Sequence, residues 1–446
     1  MASAAEQLAA NFNFSNFGKA KELRERIFFT LALLLVARLG TYIPMPGIDP
    51  IALSQLMQRQ QGGLLDIFNV LSGGAVQRMA IFGLGIMPYI SASIILQLMQ
   101  TVFPQLEALK KEGEVGRKTL NQYTRYATVG LASMQALGIA ITLQHQAHLV
   151  IDPGLSFLVT AVITLTGGTI LLMWLGEQIT SRGVGNGISL IIFAGIVARF
   201  PASIGQLLES ARTGAVSPLL VIVFIVGAIS LVLFIVFMER AQRRLLVQYP
   251  KRQAGTRMFG GEASHLPLKM NVSGVIPPIF ASSLLLMPMT MAGFVNTGGG
   301  SGGWMATLLA YIGPGRPLYL VLYALMIIFF AFFYTSIVFN PEETAENLKK
   351  YGGFIPGIRP GKKTAEYIDF VLTRITAVGA LYLAFVCIIP EFLRTSYGSA
   401  VMPLGGTSIL IIVSVTMDTV AQIQSHLIAQ QYEGLIKKSK LRGARR

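Results

Sequence analysis

The sequence predicts an all-α, polytopic membrane protein with ten transmembrane helices, and three observations predict it. Hydrophobic residues make up 53% of the 446-residue chain, only 13% are charged, and mean hydropathy is +0.60, whereas a soluble domain carries roughly 25% charge. Apolar runs of about 20 residues, enough to cross ~30 Å of hydrocarbon, recur from end to end. Lys and Arg fall almost wholly in alternate connections between those runs.

The elements follow in order. Segment 1–26 is polar and lacks a short apolar core followed by a small-residue cleavage site, so the first apolar run, 27–43, is expected to be retained as a span. Spans two to five are placed at 81–103, 123–143, 153–175 and 188–204, which completes an N-terminal half over 27–204. A connection at 205–217, expected to be an external hinge loop, leads to spans six to ten at 218–238, 272–294, 317–339, 370–389 and 405–421. These make a C-terminal half over 218–421, followed by a basic tail at 422–446.

Orientation comes from charge. The N-terminus, the tail and every second connection together hold 28 Lys and Arg, against 5 in the other connections. Positive segments are retained in the cytoplasm, which places both termini there. Five spans per half means the second half starts on the opposite side from the first, so related halves would form an inverted repeat, a plan common among transporters.

Chemistry is mostly excluded. The single Cys387 has no partner for a disulfide, His145, His148, His265 and His426 are scattered, and no HExxH or GxxxxGK[ST] occurs. We therefore expect no catalytic residue, no metal and no cofactor. Within the spans the ionisable residues are Arg38, Arg125, Arg199 and Asp418, all near span ends, where they are expected to snorkel to headgroups. The midplane is left without a charge. That disfavours the alternative function, an ion-coupled secondary transporter of a small solute.

Two loops, 239–271 and 340–374, are long, basic and punctuated by Gly and Pro. They suit docking to something large and acidic, such as a soluble ATPase or a nucleic-acid surface. The stretch GGLLDIFNVLSGG at 62–74 poses a different problem, because Leu64 to Ser72 would span only ~13 Å as a helix. Leu64, Ile67, Phe68 and Leu71 share one face, Asp66 lies in the first turn, and Gly73 and Gly74 end the pattern. From its residues it reads as an interfacial or re-entrant element.

Several strings carry a resemblance. GIMPYISASIILQL (85–98), KEGEVGRKTLNQYTRYATVG (111–130), MWLGEQITSRGVGNGISLIIFAGIVA (173–198), SHLPLKMNVSGVIPPIFASS (264–283), NPEETAENLKK (340–350) and FIPGIRPGKKT (354–364) resemble the SecY family, channel subunits of the bacterial Sec translocon, over about 24–440. The resemblance implies a clamshell of two inverted five-helix halves around an hourglass pore, opening laterally between spans 2 and 3 on one side and 7 and 8 on the other. It assigns a pore ring to Ile86, Ile90, Ile188, Ile192, Ile279 and Ile411. It makes Leu64, Leu65, Asp66, Ile67, Phe68, Asn69, Val70, Leu71 and Ser72 a movable plug. Polar residues in the lateral-gate spans are Ser91, Gln97, Gln135, Ser282 and Ser283, and the Pro pair of VIPPIF (275–280) is expected to kink span 7.

Motor and ribosome contacts are implied for Arg243, Arg244, Lys251, Arg252, Arg257 and Arg359. Thr256 stands where the family is often basic, which weakens the contact expected there. The implied function is a protein-conducting channel of the bacterial inner membrane that moves unfolded secretory polypeptides across and releases signal sequences and membrane segments into lipid. The implied partners are the small membrane subunits SecE and SecG, the SecA ATPase, a translating ribosome, signal peptides, nascent polypeptides and membrane lipids, with no DNA.

Overall fold

The structure, a computed structural model, describes residues 21–49, 72–144, 149–214, 216–249, 252–254, 257–259, 263–295, 316–397 and 405–443. Two compact units divide the chain: one comprises 1–202, 290–301 and 415–446, the other 203–289 and 302–414.

The first unit is built on α1 (Lys21–Gly40), α2 (Met87–Val102), α3 (Pro104–Lys111), α4 (Glu114–Gln144) and α5 (Leu155–Arg182), with the start of α6 (Gly187–Arg212). Ala132, Ala136 and Ala140 recur every fourth residue on α4 and are fully buried against Phe157, Ala161 and Leu165 of α5. Small side chains at that spacing let two helix backbones approach closely, which is how helices associate where lipid removes the hydrophobic drive. Asn186 starts α6: its Oδ1 accepts from the amides of Ile188 (3.1 Å) and Ser189 (3.4 Å). The turn before it is tied down by Thr30 Oγ1, which accepts from Val184 N, and Gln422 Oε1, which accepts from Gly185 N.

The second unit contains α7 (Pro218–Arg240), α8 (Ile276–Val295), α9 (Pro317–Val338), α10 (Pro341–Lys350), α11 (Lys362–Tyr397) and the start of α12 (Gly406–Gly443). Between α7 and α8 lie strands β1 (Gln242–Gln248), β2 (Arg252–Ala254), β3 (Arg257–Phe259) and β4 (Ala263–Lys269). The β1 strand pairs antiparallel with β4, Arg243 opposite Leu268 and Leu245 opposite Leu266, and β2 pairs with β3.

Among the described residues, seven helical segments are long and apolar enough to cross a membrane, and α4, α5, α6, α7, α9, α11 and α12 supply them. The three other expected spans fall on α1, α2 and α8, all helical, and for α1 and α2 the sequence shows why they fall short of that test. Arg24, Glu25, Arg26 and Arg38 dilute α1, and the 16 residues of α2 rise only ~24 Å.

Several expected boundaries shift. Span 2 does not begin at Ile81, because residues 81–86 form turns in which Gly85 takes φ +57°, a left-handed conformation a helix excludes. The helix starts at Met87, with Pro88 in its first turn, where the missing amide costs nothing. Span 7 is corrected in the same way. Pro277 and Pro278 lie in the first turn of α8 rather than interrupting it, so their lost donors belong to amides that have no intrahelical acceptor. The stretch expected as a hinge loop at 205–217 is helical through Arg212.

Candidate functional site

Of the six isoleucines assigned to a pore ring, four lie in the first unit and two in the second. Ile86 is the N-cap of α2, and its carbonyl accepts from Ile90 N at 3.1 Å. Ile188 and Ile192 are one turn apart on α6, directly after the Asn186 cap. Ile86, Ile90, Ile192 and Ile411 are buried, while Ile188 and Ile279 are half-buried. Ile86 and Ile192 line a single small cavity of about 40 Å³ together with Ser72, Gly85 and Arg38.

That cavity locates the end of the predicted plug. Leu64, Leu65, Asp66, Ile67, Phe68, Asn69, Val70 and Leu71 lie outside the described residues, and Ser72 is the last of the set and the first described. Gly73 follows with φ +67°, and a Cβ there would sit 2.8 Å from Gly195 Cα of α6 and 2.9 Å from Arg38 Nη1. The Gly73 carbonyl accepts a hydrogen bond from Arg38 Nη1 at 2.5 Å. Arg38, half-buried at the end of α1, thus spends one guanidinium nitrogen on a backbone carbonyl within its own unit. Arg125 donates two hydrogen bonds to Glu177 (2.9 and 2.7 Å) across α4 and α5, in an ion pair that stays partly exposed.

The polar residues assigned to the lateral gate are under-satisfied. Among the described residues, Gln97 Oε1 of α2, Gln135 Oε1 of α4 and Ser283 Oγ of α8 are buried atoms without a hydrogen-bond partner. Gln97 Nε2 donates to Ser93 Oγ at 3.4 Å, and Ser282 Oγ donates back to the Ile279 carbonyl at 2.9 Å. Ser91 is half-buried on α2. In the second unit α8 and α9 meet through Phe280, whose ring stands edge-on to Phe330 with centroids 5.8 Å apart.

The two basic loops, read separately in the sequence, form one body. Leu245, Leu266 and Leu268 point to one face of the β1–β4 hairpin and pack against Ile355, Ile358, Ile368, Val371 and Ile375 of the second loop and α11. Gln248 and Phe354 exchange both backbone hydrogen bonds, at 2.9 and 3.0 Å. Arg243 and Arg244 are exposed on β1 and line a groove of about 900 Å³ with Leu246, Tyr367 and Arg374. Arg252 and Arg257 lie on the β2 and β3 backbones, and Lys251 is outside the described residues. Arg359 is exposed at the tip of the second loop, where Thr364 Oγ1 donates to its carbonyl at 3.0 Å.

One positioning contact had no sequence signal. Glu239 and Asn271 stand at the two ends of the hairpin loop, and Asn271 Nδ2 donates to Glu239 Oε1 at 2.6 Å and to the Gly274 carbonyl at 3.1 Å. With Met270 N donating to the Ala241 carbonyl at 2.9 Å, this clasp joins the foot of the hairpin to the first residues before α8. Asn271→Ala is expected to destabilise the protein by ~1–3 kcal/mol, the cost of losing two partly buried hydrogen bonds, one of them to a charged acceptor. A thermal scan of the purified protein checks it, and an unchanged midpoint would refute the clasp.

The sequence matches the SecY family over residues 80–420. It is 54% identical over 433 residues to the protein translocase subunit SecY of Rickettsia felis, covering 96% of this chain and 99% of that protein. Among solved structures, one described as showing that the plug domain of SecY stabilises the closed state of the translocation channel and maintains a membrane seal aligns with TM-score 0.63 at 18% identity. That alignment covers 90% of this chain and 92% of the other. Sec61 in the canine ribosome-channel complex aligns with TM-score 0.61 at 16% identity over the same shares.

Proposed function

The chain belongs to the SecY family, and from that premise we propose how its residues divide the work of a protein-conducting channel. It is a multi-pass channel subunit of the Sec translocase and not an enzyme. Unfolded secretory polypeptides cross between the N-terminal half (27–204) and the C-terminal half (218–421). Ile86, Ile90, Ile188, Ile192, Ile279 and Ile411 form the constriction. Branched apolar side chains dewet such a ring and oppose ions, while offering no fixed polar partner that would retain a passing chain. Signal sequences leave sideways past Ser91, Gln97, Gln135, Ser282 and Ser283.

The driving force comes from outside. Both termini face the cytoplasm of a bacterium, whose inner membrane holds the channel, and the exposed arginines of the fused basic loops receive either the SecA ATPase or a translating ribosome. SecE and SecG complete the membrane complex. Ribosome binding is supported by a fold neighbour seen in a ribosome-channel complex.

One observation carries the reading: the last residues of the plug stretch, Ser72 and Gly73, lie against Ile86, Ile192 and Gly195. A short segment that ends beside the ring is placed to cover it. Deleting Leu64 to Ser72 is expected to raise ion leak through the resting channel in planar bilayers by tenfold or more, on the order of the shift from removing ~1.4 kcal/mol of closure. Unaltered conductance would remove the plug from the mechanism.

A further inference from the structure

We propose that Gln422 is a positioning residue for the constriction: through the amide of Gly185 it fixes the start of α6, and with it Ile188 and Ile192. This deepens the constriction reading above and rests on it. Helix α6 starts at Gly187, so both isoleucines lie in its first two turns. Their placement depends on the turn that precedes them, because a helix slipped by one residue advances ~1.5 Å and rotates its side chains by ~100°. The amides of that turn are held by side chains of other helices. Thr30 Oγ1 of α1 accepts from Val184 N at 3.0 Å, Gln422 Oε1 of α12 from Gly185 N at 2.9 Å, and Thr180 Oγ1 of α5 from Gly187 N at 2.9 Å. Thr30 donates its own proton to the Arg26 carbonyl and Thr180 to the Gly176 carbonyl, at 2.9 and 2.8 Å, which leaves each hydroxyl oriented to accept.

Gln422 reaches this turn from 237 residues away, and the backbone is shaped to receive it. Gly185 takes φ +89°, and a Cβ there would sit 2.8 Å from Leu190 Cδ1 and 3.4 Å from Thr419 Oγ1. Thr419 precedes Gln422 by three residues, hence on the same face of α12, so that face abuts the turn directly. On its other side α6 rests on α5. A Cβ at Gly176 would stand 3.1 Å from Ile188 Cγ1 and 3.6 Å from Ile191 Cδ1, and Gly187 lies against the Gly176 carbonyl. With α5 as a wall, α6 keeps the freedom to slide along it and to rotate. Those are the motions that a bond to the Gly185 amide opposes, and they are the ones that would carry Ile188 and Ile192 out of a ring.

The test uses the full chain assembled with its small membrane subunits and reads resting ion conductance in planar bilayers, with a thermal scan beside it. Gln422→Met keeps the length of the side chain and loses the acceptor. It is expected to leak roughly three- to tenfold more than the parent, the shift from losing one neutral hydrogen bond in a two-state closure. Gln422→Glu keeps an acceptor oxygen at the same reach and should be as tight as the parent. A lower thermal midpoint for Gln422→Met with unchanged conductance would mean a purely structural role and overturn the proposal, as would equal leak from the Met and Glu variants. Ile188→Ala with Ile192→Ala sets the ceiling, and adding Gln422→Met to that pair should change little. Additive leak would overturn the proposal, since Gln422 would then act elsewhere. A leaky alanine pair beside a tight Gln422→Met overturns the positioning role and leaves the constriction standing; a tight alanine pair overturns both. If Gln422→Met does not assemble, Gln422→Asn keeps the amide but falls one methylene short of Gly185. It should leak similarly, and a tight Gln422→Asn would overturn the proposal.

Discussion

Arg359→Glu is expected to abolish ATPase-driven translocation while leaving the channel folded. The side chain is exposed, so the substitution removes no packing, and exposed changes away from caps and strained backbone typically alter stability by about 0.5 kcal/mol or less. Its backbone is held independently of the side chain. Ile355 and Ile358 anchor the loop in the shared core, Thr364 fixes the Arg359 carbonyl, and Gly357 (φ +81°) and Gly361 (φ +103°) take the left-handed turns on either side. A rigid loop that presents one arginine at its tip suits an anchor for an acidic partner surface. Reversing such a charge turns attraction into repulsion, worth ~2–4 kcal/mol at a close pair, or roughly 30- to 1000-fold in partner affinity. The measurement is ATP-dependent import of a secretory precursor into vesicles carrying the purified complex, with a thermal scan as the folding control. Wild-type import by Arg359→Glu would refute the role.

Locking α2 to α8 is the second large effect: translocation should fall in proportion to the crosslinked fraction and return when a cleavable crosslinker is cut. Cysteines introduced along α2 and α8 would be the only reactive ones, because native Cys387 is buried at 1% exposure. The expectation rests on the lateral-gate reading and on polar atoms that find no partner. Each buried, unsatisfied atom costs ~1–3 kcal/mol. Gln97, Gln135 and Ser283 carry three such atoms, without a partner among the described residues, on the helices assigned to the gate. Separation that lets these groups meet a signal sequence, lipid headgroups or water would recover part of that cost. Normal export by fully crosslinked protein would sink the gate.

The clasp and the fused loops set a mechanical constraint on any motor. A partner seated on Arg243 or Arg359 pushes on a body with one hydrophobic core, and that body is tied at Glu239 and Asn271 to the residues that lead into α8. Force applied at the docking surface therefore reaches the start of a proposed gate helix through short, directional contacts. This arrangement could not be read from either loop alone, since the basic residues advertise a binding surface while the apolar residues between them look like ordinary loop punctuation.

Local physics made most of the fold legible in the chain itself. Runs of apolar residues are long because hydrocarbon has a fixed thickness, loops alternate in charge because insertion retains cations on one side, and the sixth span starts where expected, at Pro218. The family strings are legible for the same reason, being contiguous. Tertiary structure alone decided the rest: that IFGLGI before Pro88 is a turn, that Arg38 bonds the Gly73 carbonyl, that Arg125 takes Glu177, and that two loops about 100 residues apart share a core. Each of these joins groups distant along the chain, from 35 residues for Arg38 to 106 for Gln248 and Phe354. No periodicity encodes such a pair, because which acceptor an arginine finds depends on the path of the backbone and not on the residues beside it.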